Sequence, residues 1–148
     1  MSTRRDLVEL VGSRLRRATT AIDGLDQRAT IFFGVNRTDL RLLDLLASRG
    51  PLSAGELGRA AGISSGGMTV ALDRLTRAGY VLRTPNDNDR RSVMVQVTEK
   101  IEGPSQAAFG PLQARVEAIL EGYRAEQLEL LAEFLDSWAD AIEDALRG

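Results

Sequence analysis

A segment punctuated by glycines, residues 53–79, constrains the fold of this chain most: SAGELGRAAGISSGGMTVALDRLTRAG. Ser53 followed three residues later by Glu56 is typical of a capped helix start. Gly62 breaks the chain, and Gly79 ends a second helix. The apolar positions of the two helices form one shared seam: Leu57, Ala61, Ile63, Met68, Ala71, Leu72 and Leu75. Two short helices joined at a tight glycine turn predict a helix-turn-helix.

The close crossing of these helices requires a small residue on the first, and Gly58 supplies it. Away from the seam, the second helix has a polar face of Ser64, Ser65, Gly66, Gly67, Thr69, Asp73, Arg74 and Arg77. Small residues at its start would let backbone N–H groups approach a DNA phosphate. Ser65 and Thr69 can hydrogen-bond base edges, and Val70 can touch a thymine methyl. The alternative is a polar face of an all-α domain, with glycines that only mark a frayed helix start.

After Gly79 the apolar period changes from 3.6 to 2, which predicts strands at 80–84 and 92–97 joined through 85–89. Helix, helix and hairpin in this order predict a winged helix-turn-helix. Arg90 and Arg91 at the hairpin tip suit a narrow minor groove or flanking phosphates. Asp89 or Asp87 is expected to pair with one guanidinium and orient it. The alternative is a turn kept polar for solubility.

On the N-terminal side, apolar residues three and four apart predict an amphipathic helix over residues 5–22. Gly24 is expected to end or loosen it, and Thr38 to cap the next helix. Arg14, Arg16 and Arg17 have three open interpretations: a solvated face, contacts to flanking DNA, or contacts to an anionic ligand.

On the C-terminal side, Thr98 is expected to cap a long helical region that Pro104, Gly110 and Pro111 interrupt or kink. A last helix is expected over roughly 124–146, with an apolar stripe of Leu128, Leu131, Leu135, Trp138, Ile142 and Leu146. The chain then divides into an N-terminal dimerisation helix (1–36), a winged helix-turn-helix DNA-binding domain (37–98) and C-terminal dimerisation helices (99–148).

Charge and composition narrow the function. Residues 37–98 carry nine arginines against six acidic residues, whereas residues 99–148 carry four basic against eleven acidic residues. An anionic partner is therefore expected at the middle of the chain. The chain has no cysteine and no histidine, which excludes disulfides, thiol redox switches and the commonest metal ligand and general base. No apolar run is long enough for a membrane span and no secretory signal is visible, so a cytoplasmic protein is expected.

Four blocks together resemble the MarR (multiple antibiotic resistance regulator) family: NRTDLRLLDLL, GPLSAGELGRAAGIS, GGMTVALDRLTRAGYVLR and DNDRRSVMVQVTEK. The family's wing signature, Asp-x-Arg and then an aliphatic-Thr pair, is matched by Asp89, Arg91, Val97 and Thr98. The resemblance covers roughly residues 36–100.

The resemblance implies a mainly α fold with a small β-hairpin, in a homodimeric regulator, most often a repressor, on a pseudo-palindromic operator. It carries over Ser64, Ser65, Gly66, Gly67, Thr69 and Arg74 as the recognition-helix surface. Arg90 and Arg91 carry over as the wing, and Asp89 as its orienter. Many members release DNA when a small, often aromatic and acidic, ligand binds between the dimer helices and the winged domain. No cofactor is implied.

Two other classes are weighed against this interpretation. A winged-helix module for protein contacts would not need two arginines at the wing tip or a glycine-serine helix start. An enzyme would have to rely on carboxylates alone, and none stands in an apolar setting that would shift its pKa.

Overall fold

The computed structural model describes residues 2–147, so the predicted segment limits at Met1 and Gly148 lie outside the described residues. The chain is mainly helical with a small antiparallel sheet, and it forms two compact units, Met1–Phe109 and Gly110–Gly148. Its elements in chain order are α1 (Arg4–Phe33), α2 (Arg37–Arg49), β1 (Leu52–Ser53), α3 (Ala54–Ala61), α4 (Ser65–Ala78), β2 (Val81–Pro85), β3 (Val93–Val97), α5 (Glu102–Leu120) and α6 (Ala125–Arg147).

Helix α1 is longer than its sequence pattern predicts, because it runs through Gly24 without a break to Phe33. An exposed glycine costs a helix only about 1 kcal/mol. Beyond it, Ala29 and Phe33 are buried in the core with the residues of α2, and this burial offsets the cost. The prediction that α1 ends near residue 22 was therefore wrong.

The start of α2 differs from the prediction by two residues. Asn36, not Thr38, is the N-cap, and its side chain accepts a hydrogen bond of 2.8 Å from the Asp39 backbone N–H. Its leucines Leu40, Leu42, Leu43 and Leu46 are buried. They form the middle of the core, which α3, α4 and the sheet also line.

The helix-turn-helix forms as predicted. Ser53 and Glu56 make a capping box at the start of α3, and Gly62 follows its end in the left-handed conformation. A Cβ on Gly58 would lie 2.9 Å from the Met68 Cγ atom, so α3 and α4 cross where only glycine fits. The predicted seam is confirmed: Leu57, Met68, Ala71, Leu72 and Leu75 are buried, and Ala61 and Ile63 are half-buried.

The sheet has three strands in the order β1-β3-β2, one more than the predicted hairpin. β2 and β3 pair antiparallel, with Val81 opposite Val97, and Leu52 of β1 lies opposite the fully buried Val95. β1 was not predicted, because a strand of two residues is too short to show an alternating apolar pattern in the sequence. This pairing places the base of the wing against the start of α3.

Thr98 is a cap, as predicted, but it caps a short 3-10 turn at Glu99–Ile101, from which α5 continues. The helix is continuous over Gly110 and Pro111, so the predicted interruption was wrong, and the predicted kink stays a prediction. Pro104 lies in its first turn, where a backbone N–H has no intrahelical acceptor to lose. The limit between the two compact units falls between Phe109 and Gly110.

Helix α6 confirms the predicted last helix, and most of its large apolar residues are exposed. Leu128 and Trp138 are half-buried. The exposed apolar residues of α6 are Leu130, Leu131, Phe134, Leu135, Ile142 and Leu146. Helix α1 also exposes a set of apolar residues toward its start, namely Leu7, Val8, Leu10 and Val11.

Candidate DNA-binding surface

Most of the sequence-predicted contact residues are exposed around the start of α4: Ser64, Ser65, Gly66, Gly67 and Thr69. Ser64 is the N-cap, and its hydroxyl oxygen accepts the Gly67 N–H at 3.3 Å. Among the described residues, no acceptor receives the N–H groups of Ser65 and Gly66. Free N–H groups and the positive end of the helix dipole favour an anion at this point.

One turn further along α4, Thr69 and Val70 differ in what they can offer a ligand. The Thr69 hydroxyl donates a hydrogen bond of 3.1 Å to the Ser65 carbonyl, so its proton is used inside the helix. Val70 is 56% exposed. An apolar side chain in that position can contact a thymine methyl in a major groove.

Arg74 forms an ion pair within the winged unit. Its Nε and one terminal nitrogen donate to the two carboxylate oxygens of Asp39, at 2.9 and 2.7 Å. The Asp39 side chain is only 3% exposed, whereas that of Arg74 is 42% exposed. The hydrogen-bonded carboxylate raises the pKa of Arg74 further above its ordinary value. Arg74 thus joins α4 to α2, and its role as a DNA contact stays a prediction.

Asp39 is a residue that the sequence did not indicate. It is the only buried charged residue in the described chain. In the sequence it reads as an ordinary acid in the first turn of α2, where it would favour the helix dipole. Its partner lies 35 residues away, and no local pattern predicts such a pair.

The wing tip is ordered by its own hydrogen bonds. Asn86 Oδ1 accepts the Asn88 N–H at 3.0 Å, and Asp89 Oδ1 accepts the Arg91 N–H at 2.9 Å. The Asn86 amide also donates to the Ser92 hydroxyl at 2.7 Å. These contacts form two successive Asx turns, which fix the loop without outside help.

The wing arginines point outward from this ordered loop. Arg90 and Arg91 are exposed, and neither guanidinium has a carboxylate partner among the described residues. The ion pair predicted for Asp89 is absent, because its carboxylate binds the Arg91 backbone instead. Asp89 can therefore orient the wing through the main chain, and both cations are available to an anion.

Residues of α3, α4, β2 and β3 line a groove of about 470 Å³. Its walls are mostly small and apolar residues, including Gly58, Ile63, Met68, Leu72 and Val93. Arg59 and Arg83 supply positive charge, and Ser65 and Thr69 form part of the rim. Arg83 also pairs with Asp73 at 2.9 Å, which connects the wing to α4.

A second, smaller groove of about 260 Å³ lies between α1 and α2. Burial there, together with the nearby charge of Asp26, raises the pKa of Asp44 to about 6. The pKa of Asp26 is also raised, mainly by burial. The expectation that no carboxylate stands in a setting that shifts its pKa was therefore wrong. Arg37 pairs with Asp23 and lowers the pKa of that carboxyl. Arg14, Arg16 and Arg17 are exposed on α1, and this leaves all three interpretations open.

Comparison with known proteins identifies this arrangement. Residues 33–92 match the family model described as the MarR family. The chain is 36% identical to YcgE of Bacillus subtilis, an HTH-type transcriptional regulator, over 99% of this chain and 97% of that protein. Among the described residues no helix is both long and apolar enough to cross a membrane.

Solved structures agree with the fold. The structure of NadR in complex with 4-hydroxyphenylacetate is 27% identical, with a TM-score of 0.64 over 87% of this chain and 92% of that one. The transcriptional regulator Tm0710 of Thermotoga maritima is 21% identical, with a TM-score of 0.66 over 95% and 99%. The chain therefore belongs to the MarR family of HTH-type transcriptional regulators and is not an enzyme.

Proposed function

We propose that this chain is a homodimeric repressor that binds a pseudo-palindromic operator. In this proposal α4 enters the major groove, and Arg90 and Arg91 reach the adjacent minor groove or its phosphates. The observation that carries it is a contrast within one unit. The buried Asp39 carboxylate of the winged unit is paired with Arg74, whereas the first N–H groups of α4 and the wing guanidiniums have no partner among the described residues.

The exposed apolar residues of α1 and α6 support the dimer. A monomeric protein rarely exposes large contiguous apolar surface, and such surface usually marks an interface. A second copy of the chain fits it best, because a two-fold dimer places two recognition helices on two half-sites. The symmetry of the dimer then requires a pseudo-palindromic operator. A regulator of this kind works where the DNA is, so a cytoplasmic location is part of the proposal.

Selection of bound duplexes from a random pool tests the DNA-binding function directly. The expected result is one enriched inverted repeat. In a repeat of the selection, Val70→Ala should change the preference at one base pair per half-site by about 1 kcal/mol, since it removes apolar contact with a thymine methyl. Val116→Ala, at an exposed valine of α5, is the matched control. Recovery of no preferred sequence by the wild-type protein would favour the alternative, a winged-helix module for protein contacts.

We also propose that a small aromatic acid binds in the groove lined by α3, α4 and the wing strands, and that its binding releases the DNA. The groove's apolar walls suit an aromatic ring, and Arg59 and Arg83 suit a carboxylate. Ser65 and Thr69 belong both to its rim and to the DNA-facing surface. The related NadR structure contains 4-hydroxyphenylacetate, which makes that compound a reasonable first probe. Saturable displacement of the selected duplex by the probe, weakened in Arg83→Ala, is expected; displacement unchanged in Arg83→Ala would place the ligand elsewhere.

A further inference from the structure

The end of α4 is held by the segment that leads into α5. Three consecutive carbonyls accept hydrogen bonds from this segment. The Ala78 carbonyl accepts from Lys100 Nζ at 2.6 Å. The carbonyls of Gly79 and Tyr80 accept from the hydroxyl and the N–H of Thr98, at 2.6 and 2.9 Å. Carbonyls at a helix C-terminus have no intrahelical donor, so donors that reach them fix the helix end in one position.

Lys100 contributes more to these contacts than one hydrogen bond. Gly79 is left-handed, with a φ of 81°, and a Cβ there would lie 3.2 Å from Lys100 Cδ and 3.4 Å from Nζ. The lysine side chain therefore crosses the place that a side chain at Gly79 would take. Its ammonium lies 5.5 Å from the centre of the Tyr80 ring, which is close enough for a cation–π attraction. The positive charge also lies at the negative end of the α4 dipole.

Tyr80 extends the same set of contacts to α1. Its ring is buried and packs edge-on against Phe33, with 5.7 Å between the ring centres. The Tyr80 hydroxyl donates to the carbonyl of Phe33, the last residue of α1, at 2.8 Å. The end of α4 is thus joined both to the end of α1 and to the segment before α5. Because Lys100 is exposed whereas Tyr80 and Phe33 are buried, Lys100 can be changed without disturbing the core.

We propose that Lys100 is a positioning residue for DNA binding, which fixes the direction of α4 through the Ala78 carbonyl and the Tyr80 ring. The inference rests on the proposed function, in which α4 reads the operator. Hydrogen bonds to base edges weaken steeply when their angles change, so they depend on this direction. Attraction to the phosphates depends mainly on charge and is the same for all sequences. Loss of the Lys100 contacts should therefore reduce sequence discrimination more than binding to DNA in general.

Two substitutions of Lys100 separate its charge from its length. Lys100→Met removes the ammonium and keeps the apolar stem, whereas Lys100→Arg keeps a cation that donates hydrogen bonds. Lys100→Met is expected to bind the selected duplex about tenfold more weakly, the size of one mismatched base pair, and to bind a duplex of random sequence as wild type does. Lys100→Arg should retain the discrimination. The Tm of Lys100→Met should fall by less than about 4 °C, because the residue is exposed.

The composition of the chain offers a second test, without a substitution in the protein examined. Of the 19 basic residues only Lys100 is a lysine, so an amine-specific acetylating reagent neutralises Lys100 and, besides it, only the N-terminal amine. Acetylated wild type should lose discrimination as Lys100→Met does. Acetylated Lys100→Arg should not, because it contains no lysine. Arg115→Met, which removes an exposed cation of α5, is the control for charge alone.

Hydrogen exchange in the absence of DNA tests the hold on α4 itself. The N–H groups of Gly79 and Tyr80 donate to the carbonyls of Thr76 and Leu75, at 2.9 and 3.0 Å. These two amides should exchange faster in Lys100→Met than in wild type, while the amides of α2 should not change. Unchanged exchange at the end of α4 would overturn the inference, whether or not the protein selects a duplex.

Two results of the titrations would also overturn it. One is a loss of discrimination in Lys100→Arg as large as that in Lys100→Met. The other is equal weakening on both duplexes with a smaller salt-dependence slope, since Lys100 would then contact a phosphate directly. Failure of the wild-type protein to select any duplex would instead overturn the proposed function, so the two failures are distinguishable.

Discussion

Helices α4 and α6 both carry a stripe of large apolar residues, and they differ in whether the chain covers it. In α4 the residues Met68, Ala71, Leu72 and Leu75 are buried in a core shared with α2, α3 and the sheet. In α6 Leu131 is 38% exposed and Leu135 is 49% exposed. The same helical periodicity thus produces a folded interior in one case and an uncovered surface in the other.

The difference teaches which groups serve folding and which serve association. Groups that find partners within the chain, such as the Arg74–Asp39 pair, should affect the free energy of unfolding when changed. Groups that find none, such as the wing arginines and the stripe of α6, should affect assembly or DNA binding. The predictions below test this division in order of expected effect.

The largest effect is expected from Arg74→Met. It leaves the Asp39 carboxylate buried without its partner, and because the pair is only part-buried, the loss of unfolding free energy should stay below the roughly 3–5 kcal/mol of a fully buried pair. Asp39→Asn should cost less, because the Arg74 guanidinium is 42% exposed and can be solvated. Urea denaturation measures both. A stable Arg74→Met variant that has lost only DNA affinity would mean that Arg74 serves DNA contact alone.

The next effect concerns the uncovered stripe. Leu135→Glu is expected to weaken the dimer by about 30-fold or more, because a central interface residue typically contributes about 2 kcal/mol. Sedimentation at micromolar concentration should then show the monomer mass. Glu133→Gln, on the same helix, is the matched control and should remain dimeric. A monomeric wild-type protein would contradict the assignment of the exposed α6 stripe to association.

A smaller effect is expected at the wing. Arg91→Ala should weaken binding to all duplexes and reduce the salt-dependence slope by about 0.9, the value for one lost phosphate contact. The Tm should not change, since the side chain is exposed and has no partner among the described residues. Arg115→Ala, in the acidic C-terminal third of the chain, is the charge-matched control. Equal salt-dependence slopes for wild type and Arg91→Ala would show that Arg91 does not contact the DNA.

The smallest effect is expected from Asp44→Asn in the groove between α1 and α2. The pKa of Asp44 is raised from 3.8 to about 6, so folding favours its protonated form. That contribution is complete below the unfolded value near 3.8 and is lost as the pH rises through about 6. The variant should therefore be more stable than wild type at pH 7, by less than about 1 kcal/mol because the carboxyl is only partly buried and solvent still screens its charge. The difference should shrink as the pH falls to 4; a constant difference would contradict the shift.

The residues that sequence predicted well are those whose signals are local. The cap at Ser53, the turn at Gly62 and the small residue at Gly58 all follow from neighbours within a few positions. The errors arose where distant contacts decided the outcome. Helix α1 passes Gly24 because its last turn packs on the core, and the strand at Leu52 exists because Val95 lies opposite it.

The sequence by itself determined the helix-turn-helix, the wing and the separation of basic from acidic segments, because periodicity, capping and charge are properties of adjacent residues. Three outcomes depended on the tertiary structure. Arg74 is bound by Asp39, and the Asp89 carboxylate accepts the Arg91 backbone N–H. Packing requires a glycine at Gly67 but not at Gly66. The physical reason is that these outcomes depend on atoms brought together by folding. The most distant of these contacts joins side chains 35 positions apart.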